Sequence, residues 1–439
     1  MKKFITTIKN IFSIEELRNR ILATLGFLII FRLGSFVVLP GVDPSQLTET
    51  DGGILGILNT LLGGSFSRAS IFGLGIMPYI SASIVIQLMT VAVPSFQKMQ
   101  KEGESGRKKL TQITRVLTIL VTLAQSIGYL KVTIPANAIM IDSTLFTISS
   151  MILLTSGTMF CMWLGEKITD KGIGNGISML IMIGIISSLP AAFWFEVVET
   201  NGISRALFSV LEMVALFFVV LVTVALVQAT RRIKVNYAKQ VVGGKVYGGQ
   251  RQFIPLKVNA SGVMPIIFAQ ALMILPTLIG QIWADSSDFW LRVTNAFANP
   301  YGVAYNVVFA VMIIAFTFFY TAITVNPSNM ADDLKRSGGF IPGVKPGKPT
   351  SDFIGGVLDK ITLPGSVFLA IIAILPTFAY MAGVQQAFSY FFGGTSLLIM
   401  VGVILDTLQQ IESYLLMRHY EGMMKSGKMR GRGQNVAVA

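Results

Sequence analysis

SFSRASIFGLGIMPYISASIVIQLMT, residues 65–90, holds two kinds of chain in one stretch. Its second part opens an apolar segment, 71–93, and a membrane-spanning helix takes about 20 mostly apolar residues. Its first part is interrupted. Gly63 and Gly64 precede Ser65–Phe72, and Gly73, Gly75 and Pro78 follow it. Backbone groups freed from a helix at membrane depth must be buried in protein or line a cavity. The stretch therefore predicts a span entered through a short irregular insert that carries Ser65, Ser67, Arg68 and Ser70. From these residues alone an ordinary re-entrant turn reads equally well.

Working outward, nine further apolar segments of span length lie near 21–40, 113–133, 144–164, 173–194, 207–229, 262–283, 303–325, 362–382 and 395–416. Composition agrees. Of the 439 residues 53% are hydrophobic and 13% charged, against roughly 25% charged in an ordinary soluble protein. Too few polar residues remain to clothe large cores in water. This excludes a soluble enzyme, a disordered chain and a water-borne nucleic-acid-binding domain. A single cysteine, Cys161, excludes a disulfide framework, and a single histidine, His419, excludes most zinc and haem constellations. Residues 1–20 are no cleavable leader, because a full span and then others follow. Phe4, Ile8, Ile11 and Phe12 recur at helical spacing against Lys2, Lys3 and Lys9, as in an amphipathic helix on the membrane surface.

With ten spans both ends share one side. That side collects 30 of the 35 Lys and Arg residues, which makes it cytoplasmic. It holds two long loops, 230–261 and 328–361, and the basic tail 417–439. The spans divide into an N-terminal half, 21–194, and a C-terminal half, 207–416, joined at 195–206. Halves of five spans lie in opposite orientation, so an inverted repeat is open to them. The topology is testable with Gln250→Cys, Trp290→Cys and Lys345→Cys, each alone in a Cys161-free background. An impermeant thiol reagent outside intact cells should label position 290 only. Labelling at 345 overturns the orientation.

Catalytic chemistry is not legible. There is no HExxH and no GxSxG, and GVKPGKPT lacks the spacing and the Ser/Thr of a phosphate loop. Charges inside spans are few: Arg32, Glu212, Asp406 and Glu412. An ion-coupled small-solute transporter, the main alternative reading, usually needs ionisable groups near the midplane. A membrane-embedded hydrolase lacks any nucleophile–base or metal set.

Three stretches carry a resemblance. They are residues 65–90 with KEGESGRKKLTQITR, then SGTMFCMWLGEKITDKGIGNGIS, then RRIKVNYAKQ continuing to FIPLKVNASGVMPIIFA. VNPSNMADDLKRSGGFIPGVKPG and FFGGTSLLI extend it. In this order they closely resemble the SecY/Sec61-alpha family, the pore-forming subunits of protein-conducting channels. The resemblance runs from the first span to the tenth. It implies an all-α polytopic membrane protein, with ten transmembrane helices in two pseudo-symmetric five-helix halves. These close like a clamshell around a central hourglass pore, with a plug half-helix near 63–73 and a lateral gate. No catalysis and no cofactor are implied.

The resemblance also implies site residues. The pore ring maps to Ile80, Ile84, Ile181, Ile185, Ile267 and Ile399. Positions 80/84 and 181/185 are four apart and share a helix face, although isoleucine in a membrane helix ordinarily faces lipid or core. The plug maps to Ser65, Phe66, Ser67, Arg68, Ala69, Ser70, Ile71 and Phe72. The lateral gate falls between spans two and three and spans seven and eight, with Gln87, Gln125 and Phe268 on it and a seam between 86–89 and 261–269. Docking of the SecA ATPase or the ribosome maps to Arg231, Arg232, Lys239 and Arg251 in one loop and Lys335, Lys345 and Lys348 in the other. Positive-inside topology alone explains the sign of these loops but not their length. Lys345 stands where the family commonly has Arg, which keeps the charge and loses the planar fork of donors. Implied partners are SecE, SecG, SecA, the ribosome, signal sequences and preproteins, anionic lipids, and SecDF and YidC. The implied location is the bacterial cytoplasmic membrane.

Overall fold

The computed structural model describes residues 12–47, 53–198, 203–237, 240–242, 245–247, 251–283, 292, 296–297 and 299–425. Most of the amphipathic helix expected at 1–20, part of the joint at 195–206 and most of the basic tail lie outside these residues. Each of the ten apolar segments coincides with a helix. The segments form α1 (Glu15–Gly34), α3 (Met77–Ala92), α5 (Glu104–Thr133), α6 (Ser143–Lys171) and α7 (Gly176–Val198) in the first half of the chain. In the second half they form α8 (Ile203–Gln228), α9 (Met264–Trp283), α10 (Val303–Thr324), α12 (Lys348–Met381) and α14 (Gly394–Lys425). Shorter helices lie between them: α2 (Gly53–Leu61), α4 (Pro94–Lys101), α11 (Pro327–Arg336) and α13 (Gln386–Ser389).

Among the described residues seven of these helices are long and apolar enough to cross a membrane, and α3 with α4 makes an eighth as a bent pair. The expected count of ten is thus met in segments but not in spans judged by length and composition. The first segment differs because α1 spends its 20 residues partly on Glu15, Glu16, Arg18, Arg20 and Arg32. The bend between α3 and α4 is 98°. Pro94 causes it: proline supplies no N–H and pushes Val93 before it out of the helical region, to φ −112° and ψ 118°.

Three buried threonines on α5 satisfy their hydroxyls within their own helix. Thr114, Thr118 and Thr122 recur every fourth residue on α5, and each hydroxyl donates to the carbonyl four residues back at 2.6–2.9 Å. On that helix α3 packs to one side and α6 to the other. In the second half α10 packs against α9 and α12. The halves meet along two seams. α7 packs densely on α14, whereas α3 touches α9 only thinly. The largest core cluster fills the space between the seams.

The two long basic loops are not simple loops. β1 (Thr230–Tyr237) and β4 (Arg251–Lys257) pair antiparallel, and β5 (Gly339–Phe340) from the second loop adds to the other edge of β1. β2 (Gln240–Val242) and β3 (Lys245–Tyr247) form a separate small ribbon. The helical reading thus gains a sheet outside the spans. Its inner face, Ile233, Val235 and Leu256, packs on Leu334, Ile341, Ile354 and Leu358. The last two ride on α12, whose 34 residues reach about 50 Å at 1.5 Å per residue, well beyond a hydrocarbon core of about 30 Å. On the opposite face of the helices Asp43 accepts from the Ser45 N–H at 3.0 Å and from its hydroxyl at 2.7 Å. Those two bonds hold its carboxyl below the usual range.

Candidate functional site

Five of the six ring isoleucines fall in one buried cluster: Ile80 and Ile84 on α3, Ile181 and Ile185 on α7, and Ile399 on α14. Ile267 on α9 is half-buried and packs against the same cluster. Four helices from both halves therefore point isoleucine at a common region. Such a surface offers no hydrogen bond, holds water poorly and resists ions, yet imposes no sequence on a chain that passes.

The segment 65–72 lies against this cluster and is not a helix. Residues 62–76 run as successive turns, and the short helix α2 precedes them. Among the described residues the helix expected within 63–73 is not formed there; the nearest helix is α2, at Gly53–Leu61. Positive φ angles explain the break: Gly63 (64°), Gly64 (81°) and Gly75 (51°), and unusually for a side-chain-bearing residue, Ala69 (47°). Hydrogen bonds fasten the turns on three sides. Arg32 and Arg68 both donate to the Gly63 carbonyl, at 2.9 and 2.7 Å. Tyr129 on α5 donates its hydroxyl to the Phe66 carbonyl at 2.8 Å, with the two rings edge to face at 4.9 Å. Leu39 N–H donates to Ala69 O and Ile71 N–H to Val37 O, both at 2.9 Å. Ser65, Phe66, Ala69, Ser70 and Phe72 are buried; Ser67, Arg68 and Ile71 are half-buried. Gly157 on α6 lets the Ile71 carbonyl come close, since a Cβ there would collide with it. Sequence reading missed Arg32 and Tyr129 as contacts of these turns. The available signal was Arg32 itself, a charge within a span that needs a partner.

Of the gate residues, Phe268 on α9 is 2% exposed and lies edge to face with Phe316 (6.2 Å) and Tyr320 (5.9 Å) of α10. It belongs to the same cluster as Ile80 and Ile84. Gln87 on α3 is half-buried and donates to the Ser83 hydroxyl on its own helix at 3.4 Å. Gln125 on α5 is half-buried. The two amides are not brought together by any hydrogen bond among the described residues.

Arg231 and Arg232 are exposed on β1. Lys335, at the end of α11, and Lys345 and Lys348, beside the start of α12, are exposed as well. Thr350 donates to the Lys345 carbonyl at 2.8 Å and fixes that turn. Arg251 starts β4, and Lys239 lies outside the described residues. The pairing of β5 with β1 thus brings the two basic loops together at one sheet. The alternation of Ile233, Val235 and Tyr237 with Arg232, Lys234 and Asn236 is the strand signal that could have shown it.

A model of the SecY family matches residues 70–408, most of the chain. The chain belongs to the SecY family. Its relatives include proteins named protein translocase subunit SecY. That of Streptomyces scabiei is 41% identical over 440 residues, 96% of this chain and 100% of the relative. That of Vibrio cholerae is 41% identical over 433 residues, covering 96% and 97%. The Escherichia coli protein is 40% identical over 430 residues, covering 95% and 96%. Among solved structures, a protein-conducting channel superposes with a TM-score of 0.62 at 16% identity, over 90% of this chain and 92% of that one. Canine Sec61, from a ribosome-channel complex, gives 0.57 at 16%, again over 90% and 92%. These structures share the fold. Family membership makes the chain a protein translocase subunit and a multi-pass membrane protein.

Proposed function

We propose that the chain forms the conduit of the translocase, passing unfolded polypeptides through the isoleucine ring and releasing apolar segments sideways between α3 and α9. One observation carries this reading: the halves pack densely at α7–α14 and thinly at α3–α9, with the isoleucine cluster in the same core. A body hinged at its dense seam opens at its thin one. A signal sequence is itself an apolar helix, and only a seam between helices passes it to lipid without exposing backbone groups to hydrocarbon. The turns at 62–76 close the ring from the face opposite the basic sheet and act as the plug.

Energy comes from partners. The chain sits in the bacterial cytoplasmic membrane with its basic face inward, and SecA or the translating ribosome docks on that face. SecE and SecG complete the channel. Ribosome-bound neighbours such as canine Sec61 and the yeast Ssh1 complex support the ribosome as partner. A stalled secretory chain with a photoreactive residue in its signal core tests the reading. Crosslinks to α3 and α9 are expected; labelling of neither sinks it. Lys345→Glu tests docking. The side chain is exposed, so folding should persist while SecA-driven export in reconstituted vesicles falls severalfold. Normal export removes Lys345 from the docking site.

A further inference from the structure

Behind α9 lies a cavity of about 50 Å³, walled by α9, α10, α12 and the start of α14, with Ile57 of α2 on one side. Four polar side chains in its wall are at least nine-tenths buried: Gln270 (5% exposed), Tyr305 (4%), Thr395 (5%) and Ser396 (3%). None of the four side chains makes a hydrogen bond to the protein among the described residues. Their neighbours are satisfied. Asn306 donates to the Pro300 and Gly302 carbonyls, at 3.0 and 2.9 Å, and accepts from Thr377 at 2.9 Å. Tyr301 and Ser389 share a hydrogen bond at 3.0 Å.

Buried polar groups in proteins are nearly always paired with protein or with ordered water. Four buried side chains without a protein partner that line one otherwise largely apolar space therefore mark that space as a site. No charged residue lines it, so the occupant is neutral. At roughly 10–15 Å³ of such volume per water, the cavity takes about three to five molecules. We infer that this cavity binds small neutral hydrogen-bonding molecules and holds, in the working channel, a water cluster that ties α9 to α10 and α14.

The placement gives the cluster a consequence, which rests on the pore-ring reading above. α9 carries Ile267 and Phe268 just before Gln270, and α14 carries Ile399 just after Thr395 and Ser396. Bridging waters between these helices set how Ile267 and Ile399 meet. The shared polar occupant, rather than a direct side-chain contact, then holds part of the ring in register.

The test uses the complete translocon in lipid nanodiscs. Electron cryo-microscopy that resolves water should show ordered density at about 2.7–3.2 Å from the Gln270 amide and the Tyr305 hydroxyl. A space closed by side chains, or one without density, overturns the site. Thermal unfolding of Tyr305→Phe and Gln270→Leu provides a second readout of opposite sign. If waters bridge these groups, removing one should lower the melting temperature. If the cavity is dry, removing an unpaired buried polar group should raise it. Should Gln270→Leu fail to fold, Tyr305→Phe, which loses one hydroxyl, decides alone. Idle ion conductance of Tyr305→Phe should rise about two- to tenfold, the worth of one net hydrogen bond. Parent-like conductance with the density present refutes the link to the ring. The crosslink across α3 and α9, considered next, fails independently if the gate reading is wrong.

Discussion

Joining α3 to α9 with a short thiol crosslinker stops secretion and membrane insertion together. Leu88→Cys and Met264→Cys suit the purpose. Both parent residues are half-buried and pack against the central cluster, and one lies on each side of the thin seam. Cys161 is fully buried and is removed to leave these two thiols alone. The expected loss is near complete, because the bridge is covalent and the opening it prevents has no bypass. Cleaving the crosslinker should restore both activities to the level of the uncrosslinked variant. A small-solute transporter has no reason to open sideways. Export that continues through a bridged seam would therefore overturn the channel reading, and loss of secretion without loss of insertion would separate two paths that this geometry makes one.

Replacing Ile84, Ile181 and Ile267 together with Asn should turn a closed, ion-tight ring into a leaking one. In the parent these positions gather in an apolar cluster. Burying an amide without a hydrogen bond costs roughly 1–3 kcal/mol in protein mutational data. Three at the low end sum to about 3 kcal/mol against the closed state, a shift of roughly a hundredfold in the closed-to-open ratio. Water entering the ring relieves the penalty, and ions follow water. Planar-bilayer conductance of the idle channel should rise accordingly, and clients with weak signal sequences should pass more readily. Ile→Val at the same three positions keeps the surface apolar and should leave the seal nearly intact. Parent-like conductance in the Asn variant would show that the ring lies elsewhere.

Much of this protein was legible along the chain. A helix in a bilayer must satisfy its backbone internally and needs a fixed length of apolar residues, so each of the ten segments could be found, although α5, α12 and α14 run well past the apolar stretch that marked them. Pro94 marked the end of α3, and the glycines around 63–75 marked the broken insert, because their backbone constraints are local. Isoleucines spaced by four could be assigned to one helix face for the same reason.

Which faces meet is not a local property. Ile80, Ile181, Ile267 and Ile399 lie up to some 300 residues apart in sequence, and only packing brings their four helices to one cluster. Arg32 and Tyr129 reach the turns at 62–76 through helices whose own patterns say nothing of them. The loops at 230–261 and 328–361 look like two separate basic arms until β5 pairs with β1. A two-residue strand carries no period of its own, so its partner alone defines it. The contrast between a dense seam and a thin one, and the cavity behind α9, are sums over many side chains from distant segments. Local rules of helix length, glycine and proline therefore determined the elements and the membrane, while long-range complementarity decided which isoleucines gather, what holds the 62–76 turns and where the two halves pack densely or thinly.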